Sequence, residues 1–490
     1  MPLKICAACI VKRLLKFNKM ENQPIHYLNI DQLSGLYHQK FTSPRDVTQL
    51  QLDRIRNLDT QFQTFATLME ESAMEEAQVL SEEILHGSFR GPLHGIPIGL
   101  KDLVYTKGIR TMGGTKVMEH HIPSFDATVV KRLRSAGAII LGKLNLTEGA
   151  MRGYNPVRQV PKNPWDVARW AGASSSGSGA SVSAGFCFGA LGSDTGGSIR
   201  FPSASCGIVG LKPTYGAISR HGVIPLAESL DHVGPMTRTV LDAVYIFNAM
   251  IGQDFNDKTT LQRPPINVTV VKNNNLQGIN IGYSESYCEE GVDSTLIKLV
   301  RKSLGEIENQ GAAVKFVEIQ PIDKYLPAWR VICSGEAFQA HSEYFPSKQE
   351  EYGPWFSEWL KIGEDMTSGD YIEANNVRTE CNTLFKHLFQ QIDALICPST
   401  TSFPKPVDDD IHFGPMDRII LNDGKAPHQR FTVPFNFNGY PTISLPCGLN
   451  EEGMPGSLQI VGNLGEEETI CRIANAYEKC TDWKDLKPIP

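Results

Sequence analysis

Residues 171–202 read AGASSSGSGASVSAGFCFGALGSDTGGSIRFP, a stretch rich in glycine, alanine and serine. A flexible linker of such composition stays polar throughout, whereas residues 182–192 supply the apolar run VSAGFCFGALG. Small side chains at Ala180, Ser181 and Ala184 suit a helix that packs closely against its neighbours. We therefore predict a serine-rich turn, a buried helix, a strand and then a glycine loop, DTGGS, at residues 194–198.

The glycine loop suits the binding of an anion, but the usual serine motifs do not occur around it. Successive backbone N–H groups beside two glycines can converge on an oxyanion. A G-x-S-x-G elbow is excluded because Ser176 stands where its first glycine belongs. The S-x-x-K match at residues 402–405 contains Pro404, which disfavours the helical turn that this motif needs. The D-T-G at 194–196 has no second copy, as an aspartic protease requires, and no phosphate-binding Gly-Lys-Ser/Thr follows it.

The composition is that of a large globular protein. The chain has 490 residues, of which 41% are hydrophobic and 21% charged, so it can bury a sizeable core. Its net charge of −7, without a long Lys/Arg cluster after residue 20, argues against nucleic acid or an anionic membrane as the main partner. Eleven cysteines are scattered singly, mostly in apolar runs, which is typical of reduced core thiols and predicts a cytoplasmic protein.

Residues 1–22 differ from the rest of the chain. Their apolar run at 5–11 is too short to span a bilayer, and Lys12 stands where a signal peptide would be cleaved. Cys6 and Cys9 form a single C-x-x-C without a second pair, so we predict no zinc site there. We expect an extension without fixed structure, or a segment preceding a start at Met20, and then one domain over residues 23–490.

The hydrophobic pattern predicts alternating helices and strands. Residues 45–90 are predicted to be helical, and GPLHGIPIGLKD predicts a strand that ends at Lys101. Residues 126–146 predict a helix, a glycine and a buried strand. Residues 255–390 are more polar and predict a helical insertion over a sheet edge. Two later strands and a final helix are predicted at 393–401, 439–449 and 467–480, which completes one large α/β domain.

Three motifs carry a resemblance to a known family. They are GLKD at 99–102, GASSSGSGA at 172–180 and GSDTGGSIRFPSASCGIVGLKPTYG at 192–216. With these motifs the chain resembles the amidase signature family from about residue 25 to about residue 480. The resemblance implies an α/β fold in a single large domain, whose central mixed β-sheet is covered by helices on both faces. It also implies a signature core at about 90–250 and a variable, substrate-facing insertion at about 255–390.

The resemblance implies a triad of two serines and a lysine. The family's nucleophile is the serine that ends the glycine loop, here Ser198, and its partner in a cis peptide falls 24 positions earlier, at Ser174. The family's base is the lysine of GLKD, here Lys101, which must be neutral to accept a proton from Ser198 through Ser174. Neutrality requires its pKa to fall from about 10.4 to about 7, which burial can cause. The chain departs from the family at Ala173, where glycine is usual.

Other interpretations of these residues remain open from the sequence. Lys101 by itself also suits an ion pair with Asp102 or a place at a strand end on the surface. The resemblance implies an oxyanion hole made by four backbone N–H groups, those of Thr195, Gly196, Gly197 and Ser198. It further implies residues that orient the loop or support it by hydrogen bonds and helix capping, which are Asp194, Arg200 and Ser175, together with Ser176 and Ser178.

The activity implied is hydrolysis of a carboxylic amide through an acyl-enzyme. No metal or organic cofactor is implied, and His94, His120 and His121 lack the spacing of metal ligands. The expected partner is a small-molecule amide, with neither nucleic acid nor membrane, and a homodimer is compatible with the sequence. We expect apolar walls for an aryl or alkyl amide from bulky residues, namely Met151 and Tyr154, with Trp165, Trp170, Phe431, Phe435 and Tyr440.

Two alternative functions are weighed against this one. The glutaminase component of glutamyl-tRNA amidotransferase, its A subunit, shares GSDTGGSIR and GLKPTYG, but it holds glutamine with an acid and an arginine. Here PHQR at 427–430 supplies no carboxylate, and WLKIG at 359–363 stands in place of the arginine. A catalytically inactive binding or scaffold protein is the other alternative, and the presence of Lys101, Ser174 and Ser198 argues against it.

Overall fold

A computed structural model describes residues 23–416 and 426–488 of the chain. Within these ranges eleven strands form one sheet. They are β1 (Phe65–Leu68), β2 (Pro97–Lys101), β3 (Ile139–Leu144), β4 (Gly189–Asp194), β5 (Val209–Lys212), β6 (His232–Thr237), β7 (Asn280–Tyr283), β8 (Ala313–Phe316), β9 (Ala394–Pro398), β10 (Thr442–Leu449) and β11 (Pro455–Gly462). The extension expected at 1–22 lies outside the described residues.

Sixteen α-helices occur in the same ranges, and none of them is long and apolar enough to cross a membrane. They are α1 (Ile30–His38), α2 (Pro44–Phe62), α3 (Glu70–Leu85), α4 (Thr128–Ser135), α5 (Ser176–Ser183), α6 (Arg200–Cys206), α7 (Val240–Met250), α8 (Val268–Val271), α9 (Glu285–Glu289), α10 (Ser294–Asn309), α11 (Tyr325–Ala340), α12 (Pro354–Glu364), α13 (Ser368–Leu388), α14 (Asp409–Phe413), α15 (Val433–Phe437) and α16 (Glu467–Lys479). Single turns of 3₁₀-helix lie at Ile25–Tyr27, Glu148–Ala150, Gln349–Glu351, His428–Phe431 and Trp483–Asp485.

The sheet is mixed, as the resemblance implied. Its strand order is β1-β3-β2-β4-β6-β5-β10-β11-β9-β7-β8. Strand β2 runs parallel to both β3 and β4, and β7 runs parallel to both β8 and β9. The strands from β4 to β9 along this order pair antiparallel. The parallel group around β2 therefore brings the ends of β2 and β4, where the predicted site residues lie, to one edge.

Both faces of the sheet centre are covered. All positions of β2, β3 and β4 are buried. Successive residues of a strand point to opposite faces, and β3 shows this because Ile139 and Leu141 belong to one apolar cluster and Ile140 to another. The chain thus forms a single large α/β domain with its central strands between two apolar layers.

The glycine- and serine-rich stretch folds as predicted, into α5, β4 and the loop that follows. Helix α5 is buried at every position. A Cβ atom placed on Gly177 would lie 2.5 Å from the Asn145 carbonyl oxygen, and one on Gly179 would lie 2.9 Å from the Pro202 carbonyl oxygen. The small residues therefore allow the backbone of α5 to approach its neighbours, and a linker is excluded.

Other predicted elements agree with the structure in part. The strand ending at Lys101 is β2, and the predicted helix and strand of 126–146 are α4 and β3. The helical prediction for 45–90 is wrong at β1, which pairs with the outer side of β3. The purely helical prediction for 255–390 is also wrong, because β7 and β8 extend the sheet there. Both errors concern four-residue strands, which are too short to show a period in the sequence.

Candidate active site

The glycine loop connects the end of β4 to the start of α6, on the side of the sheet where β2 and β4 end. Strand β4 ends at Asp194 and α6 begins at Arg200, so five residues make the turn between them. Gly197 has φ +130°, a conformation that a residue with a side chain rarely adopts. Ser198, near the end of the turn, is buried except for 9% of its surface.

A buried ion pair holds the turn from within. The Arg200 guanidinium donates to both Asp194 carboxylate oxygens, from Nε to Oδ2 at 3.0 Å and from Nη2 to Oδ1 at 2.8 Å. Burial by itself would raise the pKa of Asp194, but the Arg200 charge and its hydrogen bonds hold that pKa well below the usual range. The same carboxylate accepts from the Gly197 N–H at 2.8 Å and the Ile199 N–H at 3.0 Å.

Lys101 ends β2 with its amine fully buried. Its Nζ lies 2.7 Å from Ser174 Oγ and 2.8 Å from Ser193 Oγ. Burial lowers the pKa of Lys101 to about 7, and the carboxylates of Asp194 and Asp231 oppose part of that shift. A substantial fraction of the amine is therefore neutral at physiological pH and able to accept a proton.

The ion pair between Lys101 and Asp102 that the sequence left open does not form. Asp102 lies 3.4 Å from Lys143 Nζ instead. Adjacent residues of a strand point to opposite faces, and Asp102 directly follows the end of β2. The surface location is also wrong, because Lys101 has no exposed surface.

Ser174 contacts Lys101, and Ser175 contacts the glycine loop. The Ala173–Ser174 peptide bond is cis, as the resemblance implied, although alanine replaces the usual glycine. The Ser175 N–H donates to the Ser198 carbonyl oxygen at 3.3 Å, and Ser175 Oγ donates to the Ser193 carbonyl oxygen at 3.2 Å. The Ser174 region is thereby tied to both ends of the loop.

Two further serines of this stretch have structural partners. Ser178 Oγ donates to the Leu191 carbonyl oxygen at 2.8 Å, and Ser176 Oγ accepts from the Tyr154 hydroxyl at 2.9 Å. Ser178 thus links α5 to β4, and Ser176 links α5 to the segment after residue 150. These contacts agree with supporting roles for both side chains.

The predicted oxyanion hole differs from the structure at one member. The Gly197 N–H is already used, because it donates to Asp194. The N–H groups of Thr195, Gly196 and Ser198 have no acceptor within the described ranges. Three of the four predicted donors are therefore available to an oxygen atom of a substrate.

A small cavity opens at Ser198. Its volume is about 30 Å³. Its walls include Arg152 and several large side chains, namely Met151, Trp170, Phe201, Leu226, Trp329 and Gln429. The sequence predicted Met151 and Trp170 as pocket walls, and the structure places both there. Leu226 also borders a second cavity of about 380 Å³, whose lining includes Ser193 and Asp231.

The other bulky residues predicted as pocket walls lie elsewhere. Tyr154 is buried with its ring against His412 at a centroid distance of 5.5 Å, and Trp165 Nε1 donates to the Cys206 carbonyl oxygen at 2.9 Å. The remaining three belong to the main apolar core, and they are Phe431, Phe435 and Tyr440. These side chains are not among those that border the cavity at Ser198 in the described ranges, because residue type alone does not distinguish a core position from a cavity wall.

Residues that the sequence did not reveal complete the site. Trp329 Nε1 donates to the Thr195 carbonyl oxygen at 2.9 Å. Asp231 accepts from Thr195 Oγ1 at 2.5 Å and from the Leu226 N–H at 2.9 Å. Asp231 lies in the segment SLDHVGP at 229–235, within the range of the family resemblance, whereas no local pattern distinguishes Trp329 from other aromatic residues.

Comparisons with known proteins show what this chain is similar to. A family model described as Amidase matches residues 46–471. AmiD of Mycobacterium tuberculosis, a protein described as an amidase, is 34% identical over 471 residues, covering 96% of this chain and 98% of its own. The glutamyl-tRNA(Gln) amidotransferase of Cyanothece sp. has an A subunit that is 36% identical, covering 92% of this chain and 97% of its own. The crystal structure of a peptide amidase from Stenotrophomonas maltophilia matches with a TM-score of 0.79 and 28% identity, covering 92% of this chain and 96% of that one.

Proposed function

The chain belongs to the amidase signature family and is a hydrolase of amide C–N bonds, and on that premise we propose that Ser198 is its nucleophile. Ser174 relays the proton, and Lys101 is the base. The observation that carries this proposal is the Lys101 amine, which is buried, has a pKa lowered to about 7 by that burial, and lies 2.7 Å from Ser174 Oγ.

The proposed acylation uses these three residues in turn. Ser198 Oγ attacks the amide carbonyl carbon, gives its proton to Ser174 Oγ, and Ser174 gives its own proton to neutral Lys101. The negative charge that develops on the carbonyl oxygen is met by the available N–H groups of Thr195, Gly196 and Ser198. The C–N bond then breaks as the proton returns from Lys101 through Ser174 to the departing nitrogen.

Deacylation repeats the route with water. A water molecule attacks the ester carbon on Ser198 and passes a proton through Ser174 to Lys101. Collapse of the second tetrahedral intermediate releases the carboxylic acid and returns the proton to Ser198 Oγ. Each residue ends in its starting protonation state, so the cycle consumes only the amide and water.

The walls of the cavity favour an amide with an apolar acyl group. Met151, Trp170, Phe201 and Leu226 offer carbon surface to that group. Faster hydrolysis of short polar amides than of apolar ones would contradict this substrate class.

Labelling of the nucleophile tests the proposal. We expect a fluorophosphonate probe to label the wild type at Ser198 and to leave Ser198→Ala unlabelled, with amide hydrolysis lost in parallel. Ser178→Ala is the matched control, because Ser178 is also buried in this stretch but donates only to a backbone carbonyl. Equal labelling of Ser198→Ala and the wild type would exclude Ser198 as the nucleophile.

A second candidate function is release of ammonia from glutamine, as the glutaminase component of an amidotransferase. The 36% identity to the Cyanothece protein favours it. Two features argue against it. The segment expected to supply an acid contributes Gln429 to the cavity. The segment expected to supply an arginine contributes Trp359, which is buried beside Trp329 at a distance of 6.0 Å between ring centroids. Glutaminase assays of the purified chain, with and without the other amidotransferase components, separate the two functions. Only the glutaminase function requires those components.

A further inference from the structure

Trp329 contacts the glycine loop in two ways. It lies on α11, in the segment 255–390, and only 5% of its surface is exposed. Its indole N–H donates to the Thr195 carbonyl oxygen at 2.9 Å, across 134 positions of sequence. Its ring also borders the cavity at Ser198. A Cβ atom on Gly196 would lie 2.5 Å from Cζ2 of this ring, so the indole covers the Gly196 backbone.

The hydrogen bond from Trp329 controls the direction of a neighbouring N–H group. The carbonyl of Thr195 and the N–H of Gly196 belong to one peptide unit, which is planar and trans, so the two groups point in opposite directions. An anchored Thr195 carbonyl therefore fixes where the Gly196 N–H points. Without the anchor this peptide plane is free to rotate, since glycine at 196 has no side chain to restrict its torsions.

The next peptide unit is held independently. Thr432 Oγ1 donates to the Gly196 carbonyl oxygen at 2.6 Å, and the Gly197 N–H of that unit donates to Asp194 at 2.8 Å. In the peptide unit between Thr195 and Gly196, the carbonyl oxygen accepts one hydrogen bond within the described ranges, from Trp329. The N–H of the same unit has no acceptor there. Trp329 thus determines the orientation of an available oxyanion donor.

We propose that Trp329 is the positioning residue for the Gly196 N–H and, through its ring, a specificity-determining residue of the same site. This inference rests on the proposed function. The hydrogen bond orients a donor for the oxyanion of the tetrahedral intermediate, and the indole ring limits the size of the acyl group. The segment 255–390 would then act on catalysis through α11, although its residues lie far in sequence from the glycine loop.

The chain offers a matched control in Trp359. This side chain is also buried, at 2% exposure, but its indole nitrogen has no hydrogen-bond partner in the part of the chain that the structure describes. Trp329→Phe and Trp359→Phe remove the same atoms from adjacent rings, whereas only the first removes a hydrogen bond to the loop. A replacement of the Trp329 indole by benzothiophene, which exchanges the N–H for sulphur, removes the bond and keeps the ring.

The test compares these variants in kcat and KM for propionamide and hexanamide. Loss of one oxyanion donor costs about 10²- to 10³-fold in kcat, and a misdirected donor should cost about 10-fold or more in Trp329→Phe and in the benzothiophene variant, with KM little changed. Trp359→Phe should stay within about threefold of the wild type. Only Trp329→Phe should raise the ratio of kcat/KM for hexanamide to that for propionamide, because only this variant removes ring atoms that border the cavity.

Binding of an alkyl boronic acid supplies a second measurement, since its tetrahedral adduct with Ser198 requires the same donors. We expect its affinity to fall about 10-fold or more in both Trp329 variants and to hold in Trp359→Phe. Equal losses in Trp329→Phe and Trp359→Phe, or wild-type kcat and affinity in the benzothiophene variant, would overturn the proposal. If the wild type hydrolyses no amide, the proposed function fails, and the boronic acid comparison still decides the role of Trp329.

Discussion

The hydroxyl oxygen of Ser193 lies 2.8 Å from the amine nitrogen of Lys101, so the proposed base has a second partner besides Ser174. A hydroxyl that accepts from an ammonium group stabilises the charged form and raises its pKa. In Ser193→Ala we therefore expect the acid limb of the kcat/KM profile to move to lower pH by up to about one unit. A pH–rate series with a fixed amide measures this, and a shift to higher pH would contradict the assigned contact.

The acid limb of the wild type reports the titration of Lys101. Burial lowers the pKa of its amine to about 7, and only the neutral amine accepts a proton, so kcat/KM should rise with pH and level off above about 7. Lys101→Met should lose about 10³-fold in kcat, within the range of general-base catalysis, and should lack this limb. Full activity in Lys101→Met, measured with the protein shown to be folded by circular dichroism, would exclude the mechanism.

The buried pair of Asp194 and Arg200 should contribute strongly to stability. Asp194→Asn leaves the Arg200 charge buried with a weaker partner, and breaking such a pair costs about 3–5 kcal/mol of unfolding free energy. Urea denaturation measures the difference. Glu285→Gln is the control, because its partner Arg301 is exposed and water screens the pair, so little change is expected there. Similar losses in the two variants would contradict the difference in burial.

Gly149 should tolerate no side chain. It has φ +56°, and a Cβ atom there would lie 2.1 Å from Cζ of Phe356 on α12. Gly149→Ala combines overpacking, typically about 1–3 kcal/mol, with a left-handed conformation that costs about 1–2 kcal/mol. Gly87→Ala is the control at φ +79°, where no atom lies within 4 Å of the added Cβ. Thermal unfolding should show the larger loss for Gly149→Ala, and equal losses would mean that Phe356 does not press on this glycine.

Glu148 gives a prediction for stability against pH. Its buried carboxylate accepts from Asn155 Nδ2 and from the Gly353 N–H, each at 2.7 Å, and burial raises its pKa from 4.5 to about 7. The native state therefore binds this proton more tightly than the unfolded state, and stability falls as pH rises from about 4.5 to about 7. Glu148→Gln has no titrating carboxyl at this position, so its free energy of unfolding relative to the wild type should improve by up to about 3 kcal/mol from pH 4 to pH 8. Denaturation at both pH values measures this, and a constant difference would contradict the assigned pKa.

The three residues of the proposed triad could be named from the sequence because they lie in the short motifs that carry the family resemblance. Lys101 ends a strand that its own apolar run predicts, and Ser198 ends a turn that needs glycine at 197. The sequence did not predict which N–H groups of the loop are available to a substrate. Their availability depends on the direction of the Asp194 carboxylate, which accepts a hydrogen bond from the Gly197 N–H.

The cavity walls were predictable only in part. Met151 and Trp170 border the cavity as expected, whereas Tyr154 and Trp165 do not. An aromatic side chain buries its area equally well in a core or at a cavity, so its type carries no information about which one it faces. Trp329 reaches the loop across 134 positions, and no local pattern predicts such a contact.

The order of the elements around the site and the turn that carries Ser198 could be predicted from the amino-acid pattern, because helices, strands and glycine turns depend on interactions between neighbouring residues. Only the folded chain shows that Lys101 forms hydrogen bonds with Ser174 and Ser193, while Lys143 lies beside Asp102. It also decided the pKa of that buried amine and the place of Trp329 over the loop. Burial, charge and contact at those positions come from atoms that are distant along the chain and meet only when the sheet is complete.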